Sequence, residues 1–169
     1  MSVALDATRA PSVVVRPLET EDLPSLLCWE ADLEVRRWMG NRFGSIADVT
    51  GWFLDVKRSL NRTAFAIEVD GAVIGEIELD NIDWRGKSAE IRICIGDPVF
   101  RGRGFGTRAL LTLMDIMKRS GKLKRLYLRV DAENRRAISC YLRCGFKKIG
   151  LLRRSRFVPS DLLLMAVDV

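Results

Sequence analysis

The 169-residue chain contains no histidine, which removes the commonest general base and the usual catalytic triads. Acid–base chemistry therefore falls to Glu, Asp, Tyr, Lys or Cys. The stretch richest in chemistry is Ile91 to Thr107, IRICIGDPVFRGRGFGT. Ile91, Ile93 and Ile95 alternate as in a strand, Gly96, Asp97 and Pro98 break it, and Arg101-Gly102-Arg103-Gly104-Phe105-Gly106-Thr107 leads into a helical pattern. A strand, a glycine-rich turn and a helix N-terminus in succession make an anion cradle. The glycines let backbone N–H groups approach an oxyanion, and the helix dipole adds favourable potential. The expectation is a phosphate-bearing ligand. The spacing is not that of a Walker loop, which ends Gly-Lys-Ser/Thr, nor of the dinucleotide fingerprint GxGxxG, because Gly102, Gly104 and Gly106 follow GxGxG.

The elements that must position this turn can be read on either side of it. Residues 1–11 form a loose lead-in, Val13 to Leu18 reads as a strand, and Thr20 is placed to cap a helix running through Leu23, Leu26, Leu27 and Glu30. Glu34 to Met39 reads as a short helix stopped by Gly40, and Ser45 with Asp48 caps a helix through Trp52, Phe53, Val56 and Leu60. Residues 63–69 and 72–79 flank Asp70-Gly71, a strong hairpin signal. After the glycine turn, Phe105, Ala109, Leu110, Leu113, Met114 and Met117 share one helix face, and Gly121 ends the helix. Arg125 to Val130 alternates as a strand, Glu133 to Cys144 has helical spacing up to Gly145, and residues 146–151 and 162–167 close the chain as strands. Strands joined by short turns are antiparallel and strands bridged by helices can be parallel. The order predicts an α/β (α+β) domain spanning residues 1–169, with a mixed, mostly antiparallel sheet and helices on both faces.

Composition narrows the classes of function. A net charge of +6 and a pI near 9.5 point to an anionic partner: nucleic acid, an acidic membrane or a polyanionic cofactor. The basic residues are spread along the chain, and no helix-turn-helix or aromatic RNA-binding signature accompanies them, so nucleic acid is not required as a partner. No apolar run reaches membrane-spanning length. The N-terminus lacks a basic-then-apolar leader, so a cytoplasmic location is expected. Cys28, Cys94, Cys140 and Cys144 show no CxxC spacing, so no metal site is expected. Cys140 and Cys144 fall on one helix face and read as small buried residues in a reducing compartment.

The glycine turn and a second segment together resemble the GNAT superfamily of acetyl-CoA-dependent N-acetyltransferases. The family's pyrophosphate motif, Arg/Gln-x-x-Gly-x-Gly/Ala, is matched by Arg101-x-x-Gly104-x-Gly106. Its second element is matched by Asn134-Arg-Arg-Ala137-Ile-Ser-Cys-Tyr141-Leu-Arg-Cys-Gly145-Phe146. Arg16-Pro17-Leu18, Glu21-Asp22 and Glu34-Val35-Arg36-Arg37-Trp38-Met39 resemble the RimJ/RimL-type branch that acetylates ribosomal-protein N-termini, a branch that also holds diamine, drug and amino-sugar acetyltransferases.

The resemblance implies the GNAT fold, in which two parallel strands, here Glu90–Ile95 and Arg125–Val130, splay apart around the pantetheine arm of acetyl-CoA. It assigns the arm to the backbone of Ile93, Cys94 and Ile95 by strand-like pairing and to Asn134, with Ala137 in the same motif. The pyrophosphate falls to the amides of Arg101, Gly102, Arg103, Gly104, Phe105, Gly106 and Thr107, and the adenosine phosphates to Arg103, Arg108 or Arg135. Tyr141 matches the family's tyrosine acid. With a phenol near pKa ~10 and a thiol near ~8.5, full proton transfer is uphill by about 2 kcal/mol, so a hydrogen bond to the leaving thiolate suffices. Glu90 is the first candidate base, acting through water, with Arg92 as a neighbour that would lower its basicity. Glu76 and Glu78 come next, and could equally bind a cationic acceptor. Trp38 and Trp84 are candidates for the acceptor pocket.

The acceptor decides how much a base matters. Deprotonating a lysine-like amine of pKa ~10.4 at neutral pH costs about 4.6 kcal/mol, whereas an α-amine near ~7.8 costs about 1 kcal/mol. A protein N-terminus is the leading acceptor. The alternatives are a small amine (polyamine, amino-sugar or aminoglycoside) and a CoA-binding sensor without turnover. The assembly expected is a monomer or a homodimer.

Overall fold

The computed structural model describes residues 11–154 and 160–169, so the lead-in expected over 1–11 lies, apart from Pro11, outside the described residues. The elements run β1 (Val13–Pro17), α1 (Leu23–Trp29), α2 (Leu33–Met39), α3 (Ile46–Arg58), β2 (Thr63–Val69), β3 (Ala72–Asp83), β4 (Ser88–Ile95), α4 (Phe105–Ser120), β5 (Arg125–Asp131), α5 (Arg135–Arg143), β6 (Lys147–Leu152) and β7 (Leu162–Asp168). Local chemistry accounts for most boundaries. The Asp32 side chain accepts from the Glu34 and Val35 amides to start α2, and Ser45 accepts from the Asp48 amide to start α3. Asp70 and Gly71 both take positive φ, as a two-residue hairpin turn between β2 and β3 requires. Several boundaries differ from the sequence reading: β3 runs to Asp83 rather than residue 79, and α3 ends at Arg58 rather than Leu60. Glu19, not Thr20, caps the first helical turn, exchanging hydrogen bonds with Asp22, and α5 begins at Arg135, two residues later than Glu133, behind an Asn134 cap.

The strands form one sheet in the order β1-β2-β3-β4-β5-β7-β6. Every neighbouring pair is antiparallel except β4 and β5. This is the mixed, mostly antiparallel α/β sheet expected. One face carries the larger core, where Phe105, Ala109, Leu110 and Leu113 of α4 and Tyr141 of α5 pack on Ile67, Ile77, Ile91 and Leu126. The other is covered over β2–β4 by α1–α3, whose Leu23, Leu26, Trp29, Val49 and Phe53 pack on Ala64, Ala66 and Cys94. Trp52 joins this second core against Phe43. Among the described residues no helix is long and apolar enough to cross a membrane, and no His/Cys/Asp/Glu group could hold a metal ion.

The parallel pairing of β4 with β5 lasts only from Ser88–Arg125 to Glu90–Tyr127. Beyond it β4 stays on β3 as far as Ile95–Gly75, and β5 stays on β7 as far as Asp131–Leu162. The two strands therefore part at Glu90. Gly75 helps to hold β4 to its β3 partner, since a Cβ there would lie 2.3 Å from the Cys94 carbonyl oxygen. Under α2, Arg42 binds two buried carboxylates at once, Glu76 at 2.5 Å and Glu30 at 3.3 Å. Removing that guanidinium leaves both charges unpaired in the interior. Arg42→Ala is therefore expected to cost roughly 3–5 kcal/mol in urea unfolding. The deficit should narrow as pH falls, because protonating an unpaired buried carboxylate relieves its desolvation.

Candidate functional site

A cleft with about 840 Å³ of open space lies where β4 and β5 part. One wall is the glycine turn and the first turn of α4, another is α5, and a third is α2. The turn is built for backbone contact. Gly102 and Gly104 sit at φ +69° and +83°, and a Cβ at either would meet no atom within 4 Å. Glycine is therefore required there by conformation rather than by crowding. Gly106 has ordinary φ, and its Cβ would make normal contacts at 3.7 Å with Cys140 and Ile95, which accounts for the Gly/Ala tolerance of the matched motif. The first intrahelical bond at this end runs from the Arg108 amide to the Gly104 carbonyl. Among the described residues, the amides from Gly102 to Thr107 donate to no protein group. A run of free N–H groups at the positive end of a 16-residue helix is an oxyanion site.

The side chains around the turn do different work. Arg101 is buried and points inward: its guanidinium donates to the carbonyls of Ile95 (2.8 Å) and Gly96 (2.5 Å) and pairs with Asp32 (3.0 Å) and Glu34 (3.2 Å). It ties the end of β4 to the start of α2, while its Cα fixes one edge of the turn. Arg103 lies outside the cleft wall, against the rings of Phe100 and Phe105, and Arg108 bonds the Pro11 carbonyl. The arginines that do line the cleft are Arg101, Arg136 and Arg143.

From α5, Asn134, Ala137 and Tyr141 all reach the cleft, as do Ile93, Cys94 and Ile95 from β4 and Trp38 from α2. The Asn134 side-chain oxygen accepts from the Ala137 amide at 3.1 Å, so it caps α5 and leaves its NH₂ group free. Tyr141 is 6% exposed and packs on Phe146, and among the described residues its hydroxyl has no protein partner. Burial pushes its pKa up, which keeps it protonated and able to donate.

The expected carboxylates do not reach the cleft. Glu90 is held bidentately by Arg129 (2.8 and 3.0 Å) and accepts from Asn81 at 2.9 Å, so both oxygens are engaged beside the point where the strands part. Arg92, anticipated as its partner, instead pairs with Asp80 at 3.1 Å. Glu76 is buried against Arg42, and Glu78 against Arg62 at 2.6 Å. Trp84 sits on the β3–β4 turn, half exposed, its indole N–H bonded to the Leu60 carbonyl at 2.6 Å. Sequence reasoning missed Glu34, Val35, Met39, Phe100, Arg136, Cys140 and Arg143 in the lining. The helical spacing of Glu34, Val35, Trp38 and Met39 was a usable signal, since residues three and four apart share a face.

Known proteins with this sequence pattern and fold agree on a class. Residues 12–147 match the acetyltransferase (GNAT) domain. The spermidine N(1)-acetyltransferase of Escherichia coli K12 is 33% identical over 153 residues, covering 90% of this chain and 82% of that one. An N-alpha-acetyltransferase of Sulfurisphaera tokodaii is 29% identical over 129 residues, 70% of this chain and 76% of that one. The spermidine N-acetyltransferase of Vibrio cholerae, solved in complex with CoA and spermine, superposes with a TM-score of 0.82 at 24% identity, over 92% of this chain and 95% of that one. A dodecameric form of that enzyme superposes at 0.78 and 25% identity, over 92% and 93%.

The chain belongs to the GNAT acetyltransferase family. It is an N-acetyltransferase that takes acetyl-CoA as its acyl donor, and the cleft fits that donor: free amides at a helix N-terminus for a diphosphate, and a splayed β4 edge for an amide-bearing arm. The two glycine positions separate cleanly by experiment. Gly104→Val must force a β-branched residue to positive φ, at a cost of about 1–3 kcal/mol, so acetyl-CoA affinity measured by calorimetry should fall tenfold to a hundredfold. Gly106→Ala should lose markedly less.

Proposed function

We propose that this enzyme acetylates a primary amine of a polyamine of the spermidine class. The likeness to a spermidine N(1)-acetyltransferase over nine-tenths of the chain carries the reading. Among the described residues the cleft wall offers one carboxylate, Glu34, which is shared by Arg101 and Arg136, so a polycationic acceptor would compete with those guanidiniums for it. A protein N-terminus ranks second, supported by the Sulfurisphaera tokodaii relative.

In this reading acetyl-CoA supplies an activated acetyl thioester, and the protein positions both reactants. The Gly102–Thr107 amides hold the diphosphate, the β4 edge at Ile93–Ile95, apart from the Ile95 carbonyl that Arg101 occupies, aligns the pantetheine arm, and the Asn134 NH₂ group donates to it. Trp38 forms part of the acceptor wall. The Tyr141 hydroxyl donates a hydrogen bond to the departing sulfur. Its raised pKa makes full proton transfer still less favourable than the ~2 kcal/mol of unperturbed groups, so donation without transfer is its role. Glu90, saturated by Arg129 and Asn81, fixes the parting of the strands. The acceptor loses its proton to solvent in the cleft, next to Glu34. The Vibrio cholerae relative's dodecamer makes assembly beyond a dimer the expectation for this chain also.

A panel of spermidine, spermine, amino-sugars and peptides with free N-termini tests the acceptor. Polyamines should give the highest kcat/KM, and a peptide preference would overturn the reading. Because the carboxylate lining the cleft among the described residues, Glu34, is paired with Arg101 and Arg136, kcat/KM for spermidine should climb about tenfold per pH unit between roughly pH 7 and 9, following the fraction of free amine. A flat profile there would reveal an internal base. Tyr141→Phe should lower kcat by about 10²-fold and change acetyl-CoA affinity less than twofold.

A further inference from the structure

Glu34 stands in the cleft wall between two guanidiniums and gives one oxygen to each. Its Oε2 accepts from Arg101 at 3.2 Å and its Oε1 from Arg136. Arg101 opens the glycine turn, Glu34 lies in α2, and Arg136 is in the first turn of α5. A single carboxylate therefore joins three walls of the cleft. It also links Arg136 to the residue that directly precedes the free amides.

The two guanidiniums are held very differently. The Arg101 side chain is 8% exposed and also engages Asp32 and the carbonyls of Ile95 and Gly96, so it is fixed. Arg136 is half-exposed and lines the cleft, and among the described residues Glu34 is its one partner. An ion pair so open to water is worth little, and a phosphate, which guanidinium recognises strongly, can displace the carboxylate. Arg143, the remaining arginine of the cleft wall, bonds Ser139 of its own helix, so its movement leaves Glu34 untouched. We propose that Arg136 changes partners during the reaction: it leaves Glu34 for the phosphates of acetyl-CoA, and the carboxylate it uncovers receives an ammonium group of the acceptor. Donor binding thereby prepares the acceptor site. The inference rests on the polyamine reading above for the identity of that acceptor.

The charge of the cleft argues for the same order. Among the described lining residues three guanidiniums face one carboxylate, so the empty cleft is electropositive and disfavours a polycation. A diphosphate diester is a dianion at neutral pH, and in the cleft it cancels that excess. Once Arg136 has turned to it, Glu34 keeps Arg101 on Oε2 and has Oε1 free for a new donor. The exchange makes and breaks no covalent bond. The pair Arg136–Glu34 is replaced by Arg136–phosphate and ammonium–Glu34. A polyamine has amines to spare, so one stays charged on Glu34 while another loses its proton and attacks the thioester. Trp38, one helical turn beyond Glu34 on α2, lines the same wall.

Calorimetry in low-salt buffer tests the exchange on the whole enzyme, with CoA as a donor that cannot react. Spermidine should bind at least about tenfold more tightly to the enzyme saturated with CoA than to the empty enzyme, and CoA should gain by the same factor from spermidine. In Glu34→Gln, CoA alone should bind about threefold more tightly, because Arg136 no longer has a carboxylate to leave. A carboxylate that merely braces Arg101 would give the reverse, a looser turn and weaker CoA binding. Arg136→Gln should weaken CoA binding and, with Oε1 already free, cut the effect of CoA on spermidine to less than about threefold. In that background Glu34→Gln should lose most of its gain in CoA affinity, which separates a change of partner from simple removal of a negative charge.

Independent binding of CoA and spermidine, or weakened CoA binding in Glu34→Gln, would overturn the proposal. The CoA titrations involve no acceptor, so they judge Arg136 even if the acceptor panel goes against polyamines. Polyamine turnover without coupling would sink the exchange and leave the polyamine reading intact. The coupling measurement uses the natural chain, so it decides the matter even if a variant folds poorly.

Discussion

A β-sheet is held by main-chain hydrogen bonds, and this one gives some of them up. After Glu90 and Tyr127, β4 and β5 separate while each keeps its outer partner. The amides and carbonyls of the β4 edge are left to face a cleft. Immediately afterwards the chain leaves a second set unpaired among the described residues, the N–H groups from Gly102 to Thr107. Buried main-chain polar groups without partners are costly, so such exposure persists only where something polar can meet it. An acyl donor with peptide-like amides along its arm and a diphosphate at its end carries donors and acceptors for the first set and acceptors for the second. The fold's characteristic defect and its choice of donor are thus one physical fact.

The parting must also be held open. Glu90 stands at the last paired position of β4 and reaches Arg129, on β5 beyond the end of the ladder. A bidentate guanidinium–carboxylate pair is planar and directional, so it spans the gap where main-chain bonds stop. Asn81 steadies the same carboxylate from a left-handed backbone position at φ +49°. Arg101 performs the matching task at the other end, joining the tip of β4 to the N-terminus of α2. Between these two anchors the β4 edge is fixed in place relative to the glycine turn.

The sequence made local features plain and distant pairings obscure. The hairpin around Asp70-Gly71, the stop at Gly121, the cap at Ser45 and the cradle at Gly102–Gly106 all depend on residues within a turn or two of one another. Their signals are propensity and spacing, and they survive in the fold. Glu90 shows the opposite case. Its sequence neighbour Arg92 shares its sheet face and was the natural partner, yet Arg92 turns to Asp80 while Arg129, 39 residues away, takes the carboxylate. Trp84 is likewise anchored by Leu60, 24 residues back. The motif assigns the Arg101 amide to the diphosphate, whereas that amide donates to the Pro98 carbonyl at 3.2 Å and the side chain is committed to Asp32 and Glu34. Which of several similar charges meet is settled by strand register and helix packing, which periodicity does not encode.

The cap on α5 carries one more implication. A side-chain amide normally offers a ligand both a giver and a taker of protons, and so reads carbonyls and N–H groups alike. Asn134 has one lone pair of its oxygen committed to the Ala137 amide, while among the described residues its NH₂ group donates to no protein group. A ligand carbonyl would find a ready donor there and a ligand N–H a partly occupied acceptor, so the bond that begins the helix also biases the polarity of what the cleft can receive.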